Sequence, residues 1–519
     1  MSASELASRV ADALTVDREE FQSQAAEEAE RLKEEVQDGT FDNTQAIVGL
    51  EFELYAVDDR TDALRRVPRS LLDLIGFEKE LGLHNAEMQT SPQPLNAYGL
   101  QAQLSELQAN LSPASERAIQ REDIRLVSDG MWTVPPNGET ASSYLCDSVE
   151  QDGVRIATNM SDSVRYHAMA NTDYPAGNRL DAPHVSLEAE TVMPESLITS
   201  IQPHYQIPHA PDLPEYFRYA LRIAGPLLAL GVNSPFFPPD LYDDAPDREI
   251  VDDAHMEHRV GVFESVLNPA DRDARDVANE VAPDEEPAVK VRFPPDFETV
   301  DEAIDDVVAD HTIVPMEVPT GTRFDDDFAH YRHKHGSYWR WIRPVFDGPT
   351  ASDANARIEF RPLPGQPTVS DAVAFQAVFA GLLEALPTVE HPVRSLEWET
   401  AKENFYAATE DGLRADLEWI TVDGTHTTAT DEIYGELFEL AREGLETHGL
   451  TTERARDYVR PLRERVDRRL TPARWKHNYV RQHVDEGVPL AEAIWGMQSQ
   501  YVQRQSETLI EGSFVDWLK

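Results

Sequence analysis

The sequence predicts an α+β fold: a curved, mainly antiparallel sheet with a polar concave face, flanked by helices and followed by a helical C-terminal extension. Three observations predict it. Short stretches with an apolar back and a polar front recur at four distant places. Helical patterns separate them. Strand and helix never alternate with the regularity of a doubly wound sheet.

The first strand is read over 46–57. In Ile47-Val48-Gly49-Leu50-Glu51-Phe52-Glu53-Leu54, apolar and polar residues alternate with period two, placing Glu51 and Glu53 on the face opposite Leu50, Phe52 and Leu54. Two carboxylates roughly 6–7 Å apart along a strand raise each other's pKa unless positive charge lies between them. Divalent cations would relieve that repulsion. For two glutamates alone a solvated edge face is the commoner arrangement, but three further stretches share the design. Asn85, Glu87 and Gln89 align on one face of 85–90. Gln202, His204 and Gln206 align in front of Ile201, Tyr205 and Ile207. Arg357, Glu359 and Arg361 align in front of Ile358 and Phe360.

Each stretch alone has a plainer reading. A lone His204 is more often structural than a ligand, and Arg357-Glu359-Arg361 reads as an ion-pair ladder. Together they suggest one sheet whose polar face is a site. Hard oxygen ligands with a single imidazole suit Mg²⁺ or Mn²⁺ beside phosphates, and Arg357 and Arg361 suit negative charge that moves during phosphoryl transfer. A helical His-Glu-x-x-His and a Gly-x4-Gly-Lys-Ser/Thr loop are both absent. Any use of ATP therefore rests on metal and arginine.

Composition narrows the setting. Among 519 residues, 95 acidic against 46 basic side chains give a net charge of −49. Such a field repels phosphates, which argues against nucleic acid as a partner. It suits concentrated salt, where screening shortens repulsion to about 3 Å at molar ionic strength. The single cysteine, Cys146, excludes an internal disulfide and is read as a small buried apolar residue. The N-terminus lacks a signal-peptide pattern and no run of about 18 apolar residues occurs. A soluble, cytoplasmic protein with no membrane span is expected.

In chain order, 3–38 reads as a charged helix or helical pair, and 98–125 as a helix that Ser112-Pro113 could punctuate. Residues 128–186 read as loops with short elements. Helices are expected over 216–230 and over 372–386, the latter capped by Ser370-Asp371. Residues 269–289 read as an acidic surface insertion. From about 432 the pattern is helical, with caps at Thr451, Thr471-Pro472 and Pro489.

The motifs occur in a familiar order. They are Gly49-Leu50-Glu51-Phe52-Glu53, Glu87-Met88-Gln89-Thr90-Ser91-Pro92, Gln202-Pro203-His204-Tyr205-Gln206, Gly231-Val232-Asn233-Ser234-Pro235-Phe236, Trp341-Ile342-Arg343-Pro344 with Arg357 to Arg361, and Asn404-Phe405 with Ala408 and Gly412. The chain resembles the type 2 glutamate–cysteine ligase, or carboxylate–amine ligase, family of the glutamine synthetase-like superfamily, as an acidic, haloarchaeal-type member. The family's usual Gly-x-His-x-His is altered here.

The resemblance implies an N-terminal helical arm over 1–45, a catalytic domain over 46–425 and a helical region over 426–519. It implies an ATP- and Mg²⁺-dependent enzyme that phosphorylates a glutamate side-chain carboxylate and lets an amine displace the phosphate. Glu51, His204 and Glu359 would hold one metal ion; Glu53 and Glu87 would hold another, joined by Glu80, whose parity differs. Arg361 and Arg343, with Glu359, would serve the phosphoryl group. Arg259 would take the glutamate α-carboxylate, and Gln202, Gln206 and Arg357 would line the substrate site. The implied partners are glutamate, an amine such as cysteine, and ATP, with a homo-oligomer left open. A different amine, or a catalytically weak nucleotide- or partner-binding relative, are the alternatives.

Overall fold

The structure, a computed structural model, describes residues 2–172, 174, 176–269, 289–318 and 321–518. The acidic insertion read at 269–289 lies, apart from its two end residues, outside the described residues.

Seven strands form the central sheet: β1 (Ile47–Asp58), β2 (Asn85–Gln89), β3 (Gln93–Pro94), β4 (Ile124–Val127), β5 (Ile201–Gln206), β6 (Ile342–Asp347) and β7 (Asn355–Phe360). Their order is β6-β7-β5-β1-β2, with β3 and β4 also pairing with β1, and every pairing is antiparallel. The alternation read in β1 is the alternation observed. Val48, Leu50, Phe52 and Leu54 are fully buried, whereas Ile47, Gly49, Glu51 and Glu53 keep some exposure. A one-residue slip of this strand would carry its carboxylates into the core, so the apolar face fixes the register.

Helices Ala97–Glu122, Leu213–Gly231 and Val369–Thr388 pack against the sheet. The third is apolar on every side, as a helix buried all round must be. It is the one described helix long and apolar enough to cross a membrane, but 89 % of that stretch is buried inside the fold. Its N-cap is Thr368, which accepts from the Asp371 backbone N–H, rather than the expected Ser370-Asp371 pair. Asp371 is instead spent on Arg465, at 2.9 Å, and on the Phe514 backbone N–H.

Pro113 does not divide the helix Ala97–Glu122. Proline deprives the carbonyl four residues earlier of its partner, and that residue, Ala109, is exposed, which leaves the freed carbonyl on the solvent side of the helix.

At the N-terminus the helical pair resolves into Ala3–Ala13 and Arg18–Gln37, capped by Ser2 and Asp17. The 128–186 stretch holds two short helices and a complete ribbon, Ser148–Gln151 with Val154–Ala157. Cys146 is only half-buried, and its thiol donates to the Glu188 carbonyl.

Beyond residue 430 four helices follow: Thr430–Thr447, Thr452–Asp467, Pro472–Asp485 and Leu490–Thr508, the second and third capped by Thr451 and Thr471. The first crosses Val369–Thr388 at backbone contact. A Cβ at Gly444 would meet the Gly381 carbonyl oxygen at 1.9 Å, so only glycine allows the approach. The last helix reaches β1 directly: Gln498 donates to the Tyr55 hydroxyl at 2.8 Å and to Asp129 at 3.0 Å. One continuous apolar core runs from Leu6 to Trp517.

Candidate active site

Cross-strand register builds the site. Arg343 on β6 lies opposite Glu359 on β7; Glu359 lies opposite His204 on β5; His204 lies opposite Gly49 on β1. The next row runs Gln202, Glu51, Gln89, and the next pairs Glu53 with Glu87. Directly opposed residues share a face, so four strand pairings bring polar groups from sequence positions 51 to 359 onto one surface.

Glu51, His204 and Glu359 converge most closely: a ligand atom from each lies within 4.8 Å of the other two. The His204 Nε2 is 3.3 Å from a Glu51 oxygen, and this buried nitrogen has no hydrogen-bond partner. An orphaned imidazole nitrogen between two carboxylates is what a cation site lacks before its cation arrives. On the other side of the ring, Arg357 donates to Nδ1 at 3.3 Å while gripping Asp347 with both nitrogens, at 2.7 and 2.9 Å.

Glu359 is buried and clamped by Arg343, at 2.9 and 3.0 Å, and by Arg361. Burial pushes its carboxyl up, but the two guanidinium groups outweigh burial and hold it well below the usual carboxylate range. Arg361 also donates to Gln202 at 2.7 Å.

Glu53, Glu80 and Glu87 go the opposite way. Glu53 accepts from the Ser200 backbone and hydroxyl and from Gln202, yet burial still raises its pKa. Glu80 is pushed up to about 8 by burial, then by Glu53 and Glu195. Glu87 is raised well above the ordinary value by burial, then by Glu80 and Glu51. Glu80 belongs to no strand; the segment between the helix Arg69–Ile75 and β2 delivers it, and its parity is therefore irrelevant.

These groups line two adjoining chambers. The inner one, of about 230 Å³, holds Glu51, Glu53, Glu80, Glu87, Gln202, Arg259, Arg343 and Arg361. The outer one, of about 550 Å³, holds Glu51, His204, Gln206 and Arg357. Glu51 and Gln89 belong to both walls. Gln206 is the most peripheral member, its amide donating to the Gln45 carbonyl at 3.3 Å. Arg259 opens the helix Arg259–Leu267, where buried Glu257 accepts from the backbone N–H groups of Asn233 and Arg259 and from the Ser234 hydroxyl. Its guanidinium donates to the Arg361 carbonyl at 3.0 Å, lies 5.4 Å from the Trp341 ring and leaves Nε without a partner.

Three inner-chamber residues carry no sequence signal. Tyr166 and Glu195 sit on single-turn elements, Val164–Met169 and Met193–Leu197, and Trp339 follows a short helix. None shows a periodic pattern.

With this geometry in hand, comparison with known proteins is decisive at the level of family. The model of glutamate-cysteine ligase family 2 matches residues 47–504. The chain belongs to glutamate-cysteine ligase family 2. The match takes in all seven strands of the sheet and most of the C-terminal helices. Among solved structures, the chain is similar to a glutamate–cysteine ligase from Francisella tularensis in complex with AMP, at 15 % identity over 91 % of each chain and a TM-score of 0.50. That likeness is one of fold. It also matches a bifunctional glutathione synthetase from Pasteurella multocida, at 14 % identity, 93 % of this chain, 55 % of that one and a TM-score of 0.47, so it spans about half the length of that enzyme. A search of curated proteins finds no match.

Proposed function

We propose that this member of glutamate-cysteine ligase family 2 is an ATP- and Mg²⁺-dependent ligase that joins the side-chain carboxylate of glutamate to an amine, with cysteine as the leading acceptor. The observation that carries the reading is the pair of chambers meeting at Glu51, with His204 in the outer wall, Arg259, Arg343 and Arg361 in the inner one, and Glu359 bonded to Arg343 and Arg361 within reach of Glu51 and His204. Their sizes suit the two tasks. Pockets for drug-sized ligands run to roughly 300–1,000 Å³, so the outer chamber suits a nucleotide and the inner one an amino acid.

The reaction needs an activated acyl group, because oxide is a poor leaving group from a carboxylate. A glutamate oxygen attacks the γ-phosphorus and ADP departs; the amine nitrogen then attacks the acyl carbon, loses a proton, and phosphate departs. The side chains fit divalent ions: hard oxygens, one imidazole with an orphaned nitrogen, and carboxyls whose charged forms burial and mutual repulsion disfavour until a cation is present. Glu51, His204 and Glu359 would hold one ion, and Glu53, Glu87 and Glu80 another. When bound, these ions supply charge neutralisation on the phosphate oxygens.

The chain's own residues do the positioning. Arg361 and Arg343 are held in place by Glu359 and would face the transferring phosphoryl group. Arg259, fixed by two carbonyls and the Trp341 ring, would hold the glutamate α-carboxylate. Gln202, Gln206 and Arg357 would complete the substrate walls. The net charge of −49 supports a cytoplasm rich in salt as the working medium.

The test is ADP release from ATP, Mg²⁺ and glutamate with a panel of amines in molar KCl: cysteine, other amino acids, a polyamine and ammonia. Amine-dependent ADP formation, highest with cysteine, is expected. No amine-dependent ADP with any acceptor would overturn the reading.

A further inference from the structure

Resting on that reading, we propose that Glu195 is a specificity-determining residue that receives the α-ammonium group of the donor glutamate, paired across the inner chamber with Arg259 for the α-carboxylate.

Glu195 lies on the single turn Met193–Leu197 and lines the inner chamber. The other acidic groups there are occupied. Glu53 accepts from Ser200 and Gln202, Glu80 from the Leu81 backbone N–H, and Glu87 from Gln89, while Glu51 lies 3.3 Å from the His204 Nε2. Among the described residues the Glu195 carboxylate has no hydrogen-bond or ion-pair partner, so it is presented to the chamber unengaged.

Its electrostatic neighbours are Glu53, Arg259 and Arg361, and Arg259 in turn feels Glu195. Burial and then Glu53 raise its pKa to about 7, although the two arginines oppose them. A cationic ligand would offset that penalty.

An α-amino acid is a zwitterion whose two charges sit on one carbon. A site that selects it needs a cation and an anion facing one cavity, and Arg259 and Glu195 both line the inner chamber and feel each other's charge. The acceptor is the wrong owner for Glu195. An attacking amine must be neutral, and an anion beside it would favour the unreactive ammonium form. The donor's α-ammonium takes no part in the chemistry, so a permanent ion pair there costs the reaction nothing.

The experiment compares wild type with Glu195→Gln in the full chain, using glutamate and glutarate, which lacks the ammonium group. The KM for glutamate should rise roughly 10- to 100-fold, the range for losing a charge-assisted hydrogen bond. The KM for glutarate should stay the same or fall, and the Mg²⁺ and ATP concentration dependences should not move. Glu195→Asp, which keeps the charge, should recover part of the preference for glutamate. Thermal melting establishes that each variant folds.

An unchanged KM for glutamate, an equal rise for glutarate, or a shift in the Mg²⁺ requirement would each overturn the assignment, the last by making Glu195 a metal ligand. Calorimetric binding of glutamate and of glutarate reads the same preference without turnover. Glutamate binding that depends on Glu195 in a chain with no amine-dependent ADP release would uphold this inference while the ligase reading failed.

Discussion

Glu359 and His204 are direct cross-strand partners in the antiparallel register of β7 and β5. Arg343 lies opposite Glu359 from the other side, on β6. The arrangement forces the single imidazole of the site to share its surroundings with a carboxylate that two arginines keep ionised. Glu359 is thereby held ionised beside His204, with its charge shared between Arg343 and Arg361.

Replacing Glu53 or Glu359 by glutamine should lower ADP release at least about 100-fold, since each removes a charge from the proposed metal and phosphate site. The two variants should differ in stability. Burial penalises the charged form of Glu53, so Glu53→Gln, which removes that charge, should melt near the wild type. Glu359→Gln leaves Arg343 and Arg361 buried without their anion and should melt lower. Retained turnover in either would contradict the proposed metal roles.

The contribution of Glu80 to the stability of the metal-free protein, read as wild type against Glu80→Gln, should fall as pH rises between about 5 and 8. The Glu80 carboxyl has its folded-state pKa raised to about 8, above the ordinary value of 4.5. The folded state therefore binds more protons than the unfolded one across that interval, and the slope of stability with pH is negative for this group. Mg²⁺ binding requires the deprotonated form, so the metal's stabilising effect should grow over the same interval. Melting curves with Mg²⁺ or with chelator at pH 5, 6.5 and 8 measure the difference, and a gap that does not widen with pH would count against the acidic chamber as a metal site.

Gly444→Val should destabilise the fold by about 3 kcal/mol or more, because its side chain would meet the Gly381 carbonyl where two helix backbones touch. Denaturant unfolding at constant salt reads the loss.

Arg465→Met should cost about 3–5 kcal/mol by leaving the fully buried Asp371 without its cation. Adding Asp371→Leu to it should recover part of that loss, and a double variant no more stable than the single one would assign the effect to packing alone.

Raising KCl from 0.1 to 2 M should raise the melting temperature, since screening relieves the repulsion of a −49 chain. A flat response would remove the argument for a salt-rich setting.

What could be read in the sequence and what could not divide along a physical line. Glu51, Glu53, Glu87, His204 and Glu359 were legible because each sits on a strand whose period-two pattern fixes the side of the sheet it occupies. Glu195 reaches the same chamber from a single helical turn, where no period constrains direction, and only the folded chain reveals it; Glu80 arrives from a loop and was reachable only through the family resemblance. The cap expected at Ser370-Asp371 falls instead at Thr368 because Asp371 satisfies a tertiary partner, Arg465, from 94 positions away. Pro113 was over-read as a break because its cost depends on whether the freed carbonyl, that of Ala109, reaches water. The helical character of the chain beyond residue 430 was plain from spacing, whereas its hold on β1, through Gln498 and Tyr55, depends on packing that local pattern does not encode.

The shared wall of the two chambers has a kinetic meaning. Under the proposed chemistry, the acyl phosphate forms where the two chambers meet, beside Glu51, and the acceptor must reach it there. A short-lived anhydride would be handed on without crossing bulk solvent, and hydrolysis would compete with coupling only when the acceptor is missing.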